Sequence, residues 1–225
     1  MKTYIFGDSY SVEFSDPYLY PPGHLYCDWK GYVPKKYFHL LSEKFGSTEI
    51  INYAISGNDN DNIFEKFTEV YNDIQTDDLV IFGWTRLGRF SICNNKREGD
   101  QVGKLWGSSV GFNQYEWVVK AAHNRSTKLY HERILKLINF INSVLKTNKV
   151  VHWTWNYDPG TGETDPRTIK FETGGVVNDF HYNEKTHLEL FDKMAVEFET
   201  SNQILVDLWP HNTFPEKNIA LDKLL

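Results

Sequence analysis

The sequence predicts an α/β fold, a parallel sheet covered by helices on both faces. Short apolar runs of strand length alternate with longer segments of helical period along most of the chain, the order that builds parallel sheets. The run Leu79–Trp84 (LVIFGW) is apolar without interruption, as expected of a strand hidden on both sides. At 225 residues the chain suffices for one sizeable core, so a single domain over 1–225 is expected.

The elements follow in order. Thr3–Phe6 reads as a short buried strand, ended by the turn Gly7-Asp8-Ser9. A loop rich in Pro, Tyr and Gly runs from Tyr10 to about Val33. Pro34 opens a helix with the apolar stripe Tyr37, Phe38, Leu40, Leu41 and Phe45, and Gly46 ends it. Glu49–Ala54 is a second strand, followed by the polar turn Ser56-Gly57-Asn58-Asp59-Asn60. Asn62–Ile74 is a helix, with Ile63, Phe67, Val70 and Tyr71 on one face. After the third strand, Leu79–Trp84, periodicity vanishes. Residues from about 89 to 125 read as an irregular insertion, whose aromatics favour a lid over a site rather than disorder.

The clearest helix is Ser126–Thr147, with Tyr130, Ile134, Leu137, Ile138, Ile141 and Leu145 at helical spacing behind a Ser126 cap. Val150–Trp155 is a fourth strand and Asp158–Thr173 a loop. Lys185–Phe198 is a final amphipathic helix, and Gln203–Trp209 is a fifth strand or a surface extension. The turns at Ser9, Gly57 and Trp84–Arg86 all follow strands, at the carboxyl edge where parallel sheets bind ligands. One pocket is expected there.

Composition excludes several classes. A net charge of −6 and scattered basic residues argue against nucleic acid as a partner. Cys27 and Cys93 are the only cysteines, without CxxC spacing, which excludes a zinc finger or disulfide scaffold. His131-Glu132 lacks the second histidine of a metalloprotease helix, since Leu135 stands there, and Gly99–Lys104 lacks the spacing of a phosphate-binding loop. No metal and no cofactor are expected. The opening MKTYIFGDSYS has no long apolar region, and no run approaches the roughly 20 apolar residues of a membrane helix. The expectation is a cytoplasmic protein with no membrane partner; oligomeric state is open.

Two features can carry chemistry. Ser9 ends the first strand on a tight turn, where a nucleophile would be presented and its N–H would face an oxyanion. Asp179 and His181, in the string NDFHYNEKTH, pair a carboxylate with an imidazole just ahead of the last helix. A serine nucleophile needs such a base, and the base needs a carboxylate to fix its tautomer. Each feature alone is equally a plain turn or a helix entry.

Together they resemble the SGNH (GDSL-like) serine hydrolases, over roughly residues 3–198. That group carries GDS after strand one, here Gly7-Asp8-Ser9. It carries a glycine after strand two, here Gly57, and an Asp-x-His before the C-terminal helix, here Asp179-Phe180-His181. A second histidine about six residues on is matched by His187. The resemblance implies a three-layer α/β/α, flavodoxin-like parallel sheet and acyl transfer, with Ser9 as nucleophile, His181 as base and Asp179 orienting it. It also implies an oxyanion hole built from the N–H groups of Ser9 and Gly57.

There is one departure. The group's third block supplies an Asn to the oxyanion hole, whereas this chain reads Gly83-Trp84-Thr85-Arg86-Leu87-Gly88-Arg89. Loss of such a donor costs roughly 3–4 kcal/mol. Thr85 is the natural substitute, because its hydroxyl can donate. Arg86 and Arg89 either bring positive charge to an anionic substrate or are solvated, and Asn58 and Asn60 are either further donors or turn formers. His187 and His152 read as packing residues. Trp106, Trp117, Trp153, Trp155 and the Tyr residues of the 10–33 loop are candidates for a sugar-stacking wall; the core reading is stronger for Trp153 and Trp155, and both readings are open for Trp106 and Trp117. The leading expectation is an ester hydrolase, a deacetylase or short-chain esterase acting on an O-acetylated glycan or small ester. An acyltransferase using the same serine, or a catalytically weak scaffold serving as a binding module, are the alternatives.

Overall fold

The structure, a computed structural model, describes residues 1–85, 127–155, 168–172 and 176–206. The elements in chain order are β1 (Lys2–Gly7), α1 (Pro21–Lys30), α2 (Tyr37–Lys44), β2 (Glu49–Asn52) and α3 (Asn60–Val70). They continue with β3 (Leu79–Trp84), α4 (Thr127–Val144), β4 (Lys149–Thr154), β5 (Thr168–Glu172), β6 (Val176–Tyr182), α5 (Glu184–Glu197) and β7 (Gln203–Val206). Five strands form a parallel sheet in the order β2-β1-β3-β4-β7. This is the flavodoxin-like order the sequence analysis expects, and β7 settles the last segment as an edge strand.

Strand alternation divides the core into two layers. On one face Ile5, Leu79, Ile81, Val151 and Trp153 pack with Tyr37, Phe38 and Leu41 of α2 and Leu190 and Met194 of α5. On the other, Tyr4, Phe6, Val80, Phe82, Trp84 and Val150 pack with Ile63 and Phe67 of α3 and Ile134, Ile138 and Ile141 of α4. The central strand β3 is buried throughout. Local signals set the helix starts: the Asp59 carboxylate accepts from Asn62 N at 2.8 Å ahead of α3, and Asn183 Oδ1 accepts from Thr186 N at 3.0 Å ahead of α5.

The structure departs from the sequence reading in two places. The expected loop from Tyr10 to Val33 contains α1, with prolines in its first turn and Gly31 closing it at φ 74°. Proline needs no partner for its missing N–H there, so Pro21-Pro22 begins a helix rather than breaking one. The expected loop Asp158–Thr173 ends in β5, which pairs antiparallel with β6, so Asp179 and His181 lie on a strand. The 89–125 insertion, with Cys93, Trp106 and Trp117, and the Ser126 cap lie outside the described residues.

His152 shows how the buried polar groups are settled. Trp84 Nε1 donates to His152 Nδ1 at 3.1 Å, so His152 Nε2 carries the proton and donates to Asn142 Oδ1 at 3.0 Å. Burial holds this imidazole neutral and pushes its pKa down to about 3 from 6.5. Burial likewise lowers His187. In the unfolded chain both histidines protonate near 6.5, so the unfolded state binds more protons below that pH. The contribution of His152 to stability is complete above about 6.5 and falls as pH drops towards 3, and His187 acts in the same direction. At ~1.4 kcal/mol per pH unit for His152, the stability from urea unfolding is expected to fall by about 2 kcal/mol from pH 7 to pH 5. Equal stability at the two pH values would contradict this.

Candidate active site

The parallel register brings three strand ends level. Gly7 of β1 pairs with Gly83 of β3, and Gly83 pairs with Trp153 of β4. Two residues further along each chain segment stand Ser9, Thr85 and Trp155, all past the carboxyl ends of these strands.

The turn after β1 is held from several directions. Ser11 N donates to Asp8 O at 2.9 Å, and Tyr10 N donates to Asp8 Oδ1 at 3.1 Å. Trp155 Nε1 donates to Asp8 Oδ2 at 2.8 Å, tying the end of β4 to this turn. Behind it, Trp153 Nε1 donates to the Tyr37 hydroxyl at 3.0 Å, which leaves the Tyr37 proton for Ser11 Oγ, 2.9 Å away. Burial pushes the Tyr37 phenol well up, so it keeps that proton. A Cβ on Gly7 or Gly83 would meet Ser11 Oγ at 2.6 or 2.5 Å. Both glycines are required for Ser11 to lie across the strand ends.

Ser9 is 3% exposed, and His181 Nε2 lies 2.6 Å from its Oγ. The imidazole arrives from the end of β6, one residue before the tyrosine that enters the core. With Nε2 unprotonated, it accepts the Ser9 proton, the arrangement a general base requires. The rings of Tyr10 and Tyr20 lie 4.7 and 4.4 Å from the imidazole, centre to centre.

On the other side of Ser9, the turn after β2 docks on Gly7. Ile55 N and Asn58 Nδ2 both donate to Gly7 O, at 3.1 and 3.3 Å. Gly57 holds φ 78°, a left-handed conformation that glycine adopts freely. The N–H groups of Ser9 and Gly57 donate to no described residue. At the end of β3, Asn60 accepts from Thr85 N at 2.8 Å and donates to Thr85 O at 3.1 Å. The buried Thr85 Oγ1 has no hydrogen-bond partner among the described residues.

The structure therefore brings His181 onto Ser9 and docks the turn after β2 on Gly7, while Thr85, past the end of β3, is held by Asn60. Asn58 and Asn60, nominated as substrate donors, instead spend their amides on the backbone of Gly7 and Thr85. Asp179 lies in β6 opposite Ile169; its side chain, and Arg86 and Arg89, lie outside the described residues. Asp8 carries a local signal inside the GDS string; Tyr10, Tyr20 and Trp155 are expected from the sequence only as part of a sugar-stacking wall or the core, and in the structure they gather around the Ser9 turn and His181. His187 is 1% exposed and stacks on Tyr37 at 5.7 Å, in keeping with a packing role. Cys27 is buried with its thiol pushed up by burial, which makes it a poor nucleophile. Among the described residues no group of His, Cys, Asp and Glu could hold a metal ion, and no described helix is long and apolar enough to cross a membrane.

Fold and site define a parallel α/β protein with a hydrogen-bonded serine–histidine pair at the carboxyl edge of its sheet. No protein-family model and no curated protein matches the sequence. Among solved structures, the chain is similar to phospholipase A1 from Streptomyces albidoflavus, with a TM-score of 0.34 and 13% sequence identity over 91% of this chain and 78% of that one.

Proposed function

We propose that this chain is a single-domain serine ester hydrolase of the SGNH type, acting on small or O-acetylated esters through an acyl-enzyme on Ser9. The observation that carries the reading is the 2.6 Å contact between Ser9 Oγ and His181 Nε2, residues 172 positions apart in sequence. A buried serine bonded to an imidazole at a ligand-binding sheet edge is poised for nucleophilic attack.

In this reading Ser9 Oγ attacks the ester carbonyl while His181 Nε2 takes its proton. Asp179 orients the imidazole. The oxyanion is met by the N–H groups of Ser9 and Gly57, which donate to no described residue, and the Thr85 hydroxyl, without a partner among the described residues, supplies the third donor in place of Asn. His181 returns the proton to the departing alkoxide. Water then deacylates Ser9, with His181 again serving as base. Asn60 bonds both the N–H and the carbonyl of Thr85, which supports this role, since a side chain carried on a fixed backbone needs less reorganisation during reaction.

Steady turnover of a short-chain acetate ester by the protein, lost in Ser9→Ala, is the expected result; equal turnover in the two proteins would contradict the reading. Thr85→Val keeps the side-chain shape and deletes the hydroxyl. It is expected to lower kcat about a hundredfold or more with little change in KM, because the lost bond forms only as charge develops. Thr85→Ser should retain most activity. Unchanged kcat in Thr85→Val would remove Thr85 from the oxyanion hole.

A further inference from the structure

We propose that Tyr10 and Tyr20 form an aromatic clamp on His181, positioning the base and favouring the imidazolium that forms when it takes the serine proton. The inference rests on the esterase reading above and deepens it.

Both tyrosine rings contact the imidazole, at 4.7 and 4.4 Å with interplanar angles of 42° and 55°. Each clamp ring is itself held. Tyr10 stacks on Trp155 at 4.5 Å and 13°, meets Tyr182 edge-on at 5.1 Å, and has its N–H anchored on Asp8. Tyr20 is 2% exposed and stacks against Phe14 at 6.1 Å.

Two further residues are committed to this seat. Any Cβ at position 23 would collide with the Tyr20 ring, so Gly23, in the first turn of α1, makes room for it. Lys36 is fully buried; its ammonium donates to Tyr10 O at 3.2 Å and sits 4.3 Å from the Phe14 ring and 5.1 Å from the Tyr20 ring. One cation thus ties together the backbone of one clamp residue and the aromatic group of the other.

The physical consequence has two parts. Flanking rings restrict the imidazole to a small range of tilts, which keeps Nε2 aimed at Ser9 Oγ. Aromatic faces also attract cations more than neutral groups, so the clamp acts more strongly once the proton has moved. An interaction that grows towards the transition state raises kcat rather than lowering KM. Tyr10 and Tyr20 are positioning residues, acting through His181.

The test compares the parent, Tyr20→Phe and Tyr20→Leu in short-chain ester turnover, with NMR of the His181 ring protons. Tyr20→Phe keeps the aromatic face and should hold most of the parent kcat. Tyr20→Leu should lose about tenfold in kcat, the scale of one partly desolvated cation–π contact, at unchanged KM. In the parent, ring currents should move the His181 protons upfield, a readout that needs no variant to fold. The clamp is overturned by unshifted ring protons, by an undiminished kcat in Tyr20→Leu, or by Tyr20→Phe falling as far as Tyr20→Leu. The two readings fail separately: an inactive parent counts against the esterase, whereas an active parent indifferent to Tyr20→Leu counts against the clamp.

Discussion

Ser9→Ala is expected to reduce ester turnover to background, and His181→Ala to lower kcat by about 10²–10⁴-fold, the range a positioned general base contributes. The first removes the atom that forms the acyl-enzyme. The second leaves a serine hydroxyl that cannot shed its proton at neutral pH. Among the described residues Ser9 Oγ bonds His181 alone, so Ser9→Ala should leave folding intact; the His181 ring packs on Tyr10 and Tyr20, so folding of His181→Ala is measured alongside its turnover. Circular dichroism spectra superimposable on the parent, with turnover lost, are the expected pair of results. Retained turnover in Ser9→Ala would place the reaction elsewhere.

Trp153→Ala is expected to cost about 3–5 kcal/mol of stability, the usual range for emptying a buried tryptophan site. Trp153 is 1% exposed, packs in the layer shared with α2 and α5, and supplies the Nε1 donor to Tyr37. Its loss opens a cavity beneath Ser11, against the turn that carries Ser9. For a chain of this size the melting temperature should fall by roughly 6–20 °C. Trp153→Phe separates the two contributions: most of the packing remains, and the lost hydrogen bond should cost about 1–2 kcal/mol. A change below about 1 kcal/mol in Trp153→Ala would show that the Ser11–Tyr37–Trp153 chain does not brace the sheet edge.

Four strands of the sheet were legible as short runs with apolar residues followed by turn residues, β3 most clearly because no polar residue breaks it; β7, a short run near the end of the described residues, reads equally as a surface extension. The helices α2, α3, α4 and α5 were legible through their period, within a few residues at each end. The helix α1 was hidden by Pro21, Pro22 and Gly23, which read as loop residues. In the structure the prolines occupy the first turn, and the glycine clears space for Tyr20. The β5–β6 hairpin was hidden because its strands are short and separate from the main sheet, leaving no alternation with helices to announce them.

Within the site, Ser9 and His181 were legible only together: each alone is a plain turn or a helix entry, and it is their order and contexts, resembling the blocks of the SGNH group, that mark a nucleophile and its base. The supports were not. Nothing local links Asn60 to Thr85, Trp155 to Asp8, or Lys36 to the carbonyl of Tyr10; those partners are 25, 147 and 26 residues apart and meet only through the parallel crossovers. Asn58 and Asn60 were legible as amides beside Gly57, but the fold directs those amides to the carbonyls of Gly7 and Thr85. A side chain's chemistry is written in the sequence, but what it bonds depends on which chain segments the sheet brings alongside.

A serine-directed fluorophosphonate reacts only where a hydroxyl is activated by a neighbouring base. Peptide mass spectrometry after exposure of the parent and of His181→Ala therefore bears on the coupling itself, independently of any substrate. Stoichiometric modification of Ser9 in the parent, and little or none in His181→Ala, is predicted. An unmodified Ser9 in the folded parent, or equal modification of both proteins, would contradict the account.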